Sequence, residues 1–242
     1  MVEMFFLALD YAEASQAVDA AKYSMGILRQ RFGTEIVDGI PDSYGKVGLK
    51  LPPNLLYESI DPVLWSFCRD KANFIDAKFY DDPVGSERSI RRLHPVLPVS
   101  YFTIAAPMGV HMMRQHVRFA HELGMEVLAA TAHTHMPPGD VRDTYNVDCI
   151  PAIYSLGNNA LEAGCDGIVL DGEALKNPDI QGLPLKKLVT GIRLKLHERR
   201  RQSRITLLEE AKELKEQMDY AVVSSGYLDK PEELIEIFKS LL

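Results

Sequence analysis

Three observations predict an α/β fold, a single (β/α)8 TIM barrel spanning residues 1–242. Short apolar runs alternate with longer amphipathic segments from end to end, the order of strands and helices in a parallel α/β protein. Several runs are apolar on both faces, as strands are when both sides of the sheet are covered. Eight such repeats, with no break in composition, fit one closed barrel of ordinary length. An open doubly wound sheet is the alternative, but no Gly-x-Gly-x-x-Gly follows the first run.

The first strand is Met4 to Leu9, an apolar run that Asp10 ends, followed by a helical pattern from Ala12 to Gln30. The segment Phe32 to Tyr44 reads as a long loop. Lys46 to Leu49 is the second strand, with a helical segment from Pro53 to Arg69. Ala72 to Ile75 is the third, and the shorter stretch Val84 to His94 follows it. Val99 to Ile104 and Glu126 to Ala130 are the fourth and fifth strands, with Gly109 to Leu123 helical between them and Ile150 to Ala163 after them. Gly167 to Leu170, Lys187 to Val189 and Tyr220 to Val223 complete the eight. Gly172 to Leu175, Leu207 to Gln217 and Pro231 to Leu242 are their helical partners, and Leu194 to Arg204 is a second long loop.

Of the 242 residues, 46% are hydrophobic and 25% charged, ordinary for a globular protein. A net charge of −7 argues against a general nucleic-acid binder, whose affinity rests on excess Lys and Arg. Cys68, Cys149 and Cys165 are widely spaced, odd in number and without a Cys-x-x-Cys pattern. They read as reduced thiols of a cytoplasmic protein. The N-terminal apolar stretch is short and lacks a basic flank, so it reads as a strand rather than a signal peptide. No run is long enough to cross a membrane.

The chemistry concentrates in Asp76-Ala77-Lys78-Phe79-Tyr80-Asp81, placed where the third strand should end. Alternation along a strand puts Asp76 and Lys78 on one face. Ions at the rim of a core are costly to desolvate unless they pair or act. Taken alone, the cluster fits a surface ion pair as well as it fits catalysis. Asp10 ends the first strand and Lys46 lies on the second, within Gly45-Lys46-Val47-Gly48-Leu49. Alone, Lys46 reads equally as a solvated lysine, and Asp10 as the N-cap of the next helix. Together with Asp76, Lys78 and Asp81, they would bring charges of both signs to one barrel mouth, where each holds the next ionised.

Those residues, with Thr131-Ala132-His133-Thr134-His135, Gly164-Cys165-Asp166-Gly167-Ile168-Val169, Thr190-Gly191-Ile192-Arg193 and Gln202-Ser203-Arg204-Ile205-Thr206, run in order along nearly the whole chain. In that order they resemble the orotidine 5′-monophosphate decarboxylase family. The resemblance implies a homodimer with shared sites, in which the last Asp of the motif, Asp81, serves the neighbouring subunit. It implies a small nucleotide substrate, no cofactor and no metal. Lys46, Asp76, Lys78 and Asp81 become the catalytic set. Asp10, Thr134, Gln202, Ser225 and Gly226 become substrate contacts. One departure stands out: Ser225 occupies the position of the family's phosphate-binding Arg, so phosphate would fall to backbone N–H groups after the last strand, to Gln202, or to an Arg among Arg199, Arg200, Arg201 and Arg204.

Decarboxylation without a cofactor leaves an electron pair on carbon, and a fixed ammonium can both stabilise it and protonate it, a role suited to Lys78. Metal-using relatives in the same superfamily, acting on sugar phosphates, have a Glu on the second strand. A lysine there argues against Mg²⁺. His133-x-His135 by itself is weak evidence for zinc. A non-catalytic paralogue that binds a phosphorylated ligand is the third reading.

Overall fold

The computed structural model describes residues 2–39, 45–57, 62–195 and 203–242. Eight parallel strands close into a barrel: β1 (Met4–Ala8), β2 (Val47–Leu51), β3 (Asn73–Phe79), β4 (Val99–Ala105), β5 (Glu126–Ala130), β6 (Gly167–Leu170), β7 (Lys186–Val189) and, last in the chain, β10 (Tyr220–Val223). Each pairs with its neighbours in sequence order, and β1 closes the ring against β10. Between β7 and β10, Ile192–Arg193 (β8) and Thr206–Leu207 (β9) form a small parallel pair beside the mouth.

Side-chain alternation explains how one chain builds two cores. Met4, Phe6 and Ala8 of β1 point into the barrel, where they meet Phe74, Leu128, Leu188, Tyr220 and Val222. Phe5, Leu7 and Leu9 point outward into the larger core under the helices. The Phe6, Phe74, Tyr101 and Tyr220 rings contact one another with centroids 5.0 to 5.9 Å apart and plug the barrel. Gly48 is required beside that plug, because a Cβ there would lie 2.7 Å from the Ala72 carbonyl and 2.9 Å from the Phe6 ring. The plug closes the base of the cavity at the C-terminal mouth, whose lining includes Phe74.

Two strand boundaries differ from expectation in ways that matter. β2 runs to Leu51 rather than Leu49, and β3 runs to Phe79 rather than Ile75. In both, the sequence suggests an early end because a charged residue interrupts the apolar run; in the fold Lys50 stays in the ladder opposite Ala8, Asp76 and Lys78 lie in the irregular stretch of β3 between Ile75 and Phe79, and all three line the cavity. The segment expected to be a loop after Phe32 contains a short helix, Thr34–Asp38. It is tied down by Arg29, whose guanidinium donates to both oxygens of Asp38 at 2.5 and 2.6 Å. Another helix, Pro138–Tyr145, precedes the long one at Cys149–Ala163. Cys68 and Cys165 are buried free thiols whose burial raises each to about 12. Among the described residues no helix is long and apolar enough to cross a membrane.

Candidate active site

An open cavity lies at the C-terminal mouth of the barrel. Its floor is apolar, formed by Ala8, Phe74, Ala130, Val169, Leu188 and Val222. Asp10, Lys50, Asp76 and Lys78 make one charged wall; Thr131 to His135 form a second side; Thr190, Gly191, Arg193 and Ser224 form the third.

The charged wall is a continuous chain of ion pairs. The Lys50 ammonium donates to Asp10 Oδ1 at 2.9 Å and to Asp76 Oδ2 at 3.3 Å. The Lys78 ammonium donates to Asp76 Oδ1 at 2.6 Å. Burial by itself would raise the Asp76 carboxyl, but Lys50 and Lys78 outweigh it and hold the group far below the usual carboxylate range. Lys50 answers in kind: burial would lower its ammonium, and Asp76 and Asp10 reverse this, so its affinity for the proton is raised. The wall thus alternates two lysines with two aspartates, and the shifts of Asp76 and Lys50 both favour their charged forms.

The expected second-strand lysine must be corrected. Lys46 precedes β2 at the opposite end of the barrel, where its ammonium donates to the Val2 carbonyl at 3.3 Å. Lys50 stands in the wall instead. Lys46, Gly48 and Lys50 share one strand face, so alternation alone selects neither lysine. Four residues of strand rise, about 13 Å, separate the two. The sequence did carry a signal, since Lys50 sits between Leu49 and Leu51 immediately before Pro52-Pro53, where a strand must end.

The other expected residues divide. Asp10, Asp76, Lys78 and Thr134 line the cavity. Asp81 is exposed, and its carboxylate accepts from the Asp82 amide at 2.8 Å. Ser224 rather than Ser225 lines the cavity at the end of β10; the Ser225 carbonyl accepts from the Tyr11 hydroxyl at 3.4 Å, and Gly226 is exposed. Gln202, Arg199, Arg200 and Arg201 lie outside the described residues. Arg204 is turned away from phosphate binding: its guanidinium is 3.3 Å from the buried Asp171 carboxylate and donates to the Ala132 carbonyl at 2.5 Å. Arg193, which the sequence places in the Thr190-Gly191-Ile192-Arg193 motif without a role, also lines the cavity.

His133 and His135 also line the cavity. Burial and the nearby Lys78 ammonium lower both imidazoles, which keeps them neutral at pH 7. Among the described residues no three His, Cys, Asp or Glu side chains gather as a metal-binding set.

No family model matches the chain. Over 183 residues it is 29% identical to the orotidine 5′-phosphate decarboxylase of Methylococcus capsulatus, a match covering 75% of this chain and 66% of that protein. The relatives of this chain are orotidine 5′-phosphate decarboxylases. The matched stretch spans less than two thirds of the first of these curated relatives, falling to 56% in Xanthomonas oryzae, where identity is 33% over 142 residues. Solved decarboxylase structures share the fold along the whole chain. That of Lactobacillus acidophilus superimposes with a TM-score of 0.73 at 18% identity, covering 99% of each chain. The decarboxylase of Methanocaldococcus jannaschii, solved with the inhibitor BMP, has a TM-score of 0.69 at 18% identity and covers 100% of this chain and 99% of its own.

Proposed function

We propose that this chain decarboxylates orotidine 5′-monophosphate to uridine 5′-monophosphate, using its own charged side chains and no metal. The observation that carries the reading is the Asp10–Lys50–Asp76–Lys78 chain at the mouth of the barrel. The C6–carboxylate bond breaks to release CO2 and leaves its electron pair on C6. Lys78 stabilises that pair as an ammonium and then transfers a proton to it. Asp76, held ionised, stands beside the departing carboxylate and accepts from the Lys78 ammonium at 2.6 Å, fixing its position. Lys50 and Asp10 present a donor and an acceptor to the ribose hydroxyls. Arg193, Thr190 and Ser224 close the far side of the cavity and offer the phosphate a cation and two hydroxyls.

The Lys50 ammonium argues against a metal-using relative on grounds of charge. It occupies the space between Asp10 and Asp76, where a divalent ion would need both carboxylates. Exposed Asp81, flanked by the exposed Tyr80 and Val84, supports a homodimer in which a second copy covers this face. A monomer in light scattering would remove that part of the proposal.

The test follows orotidine monophosphate by its ultraviolet absorbance, with and without EDTA. Turnover that is indifferent to EDTA, and abolished by Lys78→Ala in a folded protein, is expected. EDTA-sensitive turnover would favour the metal-using reading. Binding without turnover would favour a non-catalytic ligand-binding role, the reading that Ser225 prompts.

A further inference from the structure

Lys78 has a backbone φ of 45°, in the left-handed region that a side chain bearing a Cβ disfavours. The register of β3 against β4 slips between Ile75 and Phe79, so the strand bulges where Lys78 sits. A bulge re-aims a side chain, and here it turns Lys78 into the cavity behind Asp76. One neighbouring side chain holds both features. Thr103 of β4 is completely buried. Its hydroxyl donates to Asp76 Oδ1 at 3.1 Å and accepts from the Lys78 amide at 2.8 Å.

We propose that Thr103 is the positioning residue of this site: its hydroxyl fixes the bulge that aims the Lys78 ammonium and orients the Asp76 carboxylate that pairs with it. A hydroxyl has one proton to give, and Thr103 gives it to the most strongly ionised group in the cavity. The oxygen that remains takes the amide proton of the strained residue. Valine has nearly the same shape, so Thr103→Val would leave packing in place while removing one of the three side-chain donors to Asp76 and the acceptor of the Lys78 amide at once. A serine would restore both bonds.

The kinetic arm rests on the decarboxylase reading, so the test includes one measurement that does not. With orotidine monophosphate, Thr103→Val is expected to lower kcat by about 10- to 100-fold with little change in KM, the size of a lost hydrogen bond to a charged group. Thr103→Ser should recover kcat to within about threefold of the parent. In hydrogen exchange followed by NMR, the Lys78 amide should exchange at least about tenfold faster in Thr103→Val and return to the parental rate in Thr103→Ser. If the parent does not turn over this substrate, the functional reading fails and the exchange data alone decide the positioning role. Unchanged exchange at Lys78, or a valine variant with parental kcat in an active enzyme, overturns the proposal. Should the valine variant not fold, Thr103→Cys, a weaker donor of similar size, replaces it in both measurements with the same direction expected.

Discussion

Lys50 sets the charge balance of the cavity. Its ammonium separates two carboxylates that would otherwise repel each other, and its side chain is nearly buried while Asp10 keeps contact with solvent. Removing the charge leaves Asp76 with one ionic partner and a raised proton affinity. Lys50→Met should therefore lower kcat/KM at least about 100-fold, the effect of losing a preorganised charge at the reacting centre. Lys46→Met, altering a residue whose ammonium donates to the Val2 carbonyl at the far end of the barrel, should stay within about threefold of the parent. Equal losses in the two variants would return the role to Lys46. The contrast also marks how far residue-level reading carries. Asp76, Lys78 and Asp10 are legible because acids and a lysine beside apolar runs are conspicuous; the choice between two lysines on one strand face depends on height along the barrel.

At the scale of elements, the rim after β5 is clamped by the segment that leads into β9. The Ser203 hydroxyl and the Arg204 amide both donate to the Thr134 carbonyl at 2.9 Å. The Arg204 guanidinium spans from the Ala132 carbonyl to Asp171, which itself caps the helix Gly172–Leu175 by accepting from Ala174. Three connecting segments are thus held by one buried ion pair, and the wall containing His133 and Thr134 depends on it. Removing one partner of a buried pair leaves the other charge uncompensated. Arg204→Met and Asp171→Asn should each destabilise the fold by about 3 kcal/mol in urea unfolding, and the double variant should cost clearly less than their sum. Additive losses would show that the two groups act separately. The sequence marked Arg204 as a basic loop residue open to phosphate. Its pairing with Asp171, 33 positions earlier, is created by the closing of the barrel.

For the whole molecule, the strongly ionised Asp76 makes stability depend on pH in a defined direction. Its folded value lies below the unfolded carboxyl value of about 4, so between the two the unfolded chain binds more protons. The contribution is complete above about pH 4 and is lost as pH falls toward the folded value. The urea midpoint of the parent should fall on acidification below about pH 4, and Asp76→Asn should show a shallower decline over that range. Parallel curves would mean that the Asp76 pairs do not contribute to the acid dependence.

What the sequence determined by itself was the eightfold alternation, and with it the barrel, because strand and helix periodicities are local and eight repeats close a ring. It also determined that acids and a lysine meet at one mouth, since parallel strands place their C-terminal ends together. The tertiary structure decided what depends on register and closure: Lys50 rather than Lys46 beside Asp76, Thr103 beneath the Lys78 bulge, Arg204 on Asp171 and Arg193 at the cavity wall. Alternation fixes which face a side chain takes, while its height and its partner across the ring come only from how neighbouring strands align. Leu7 pairs with Leu49 and Ala8 with Lys50, and this register carries Lys50 up to the level of the cavity.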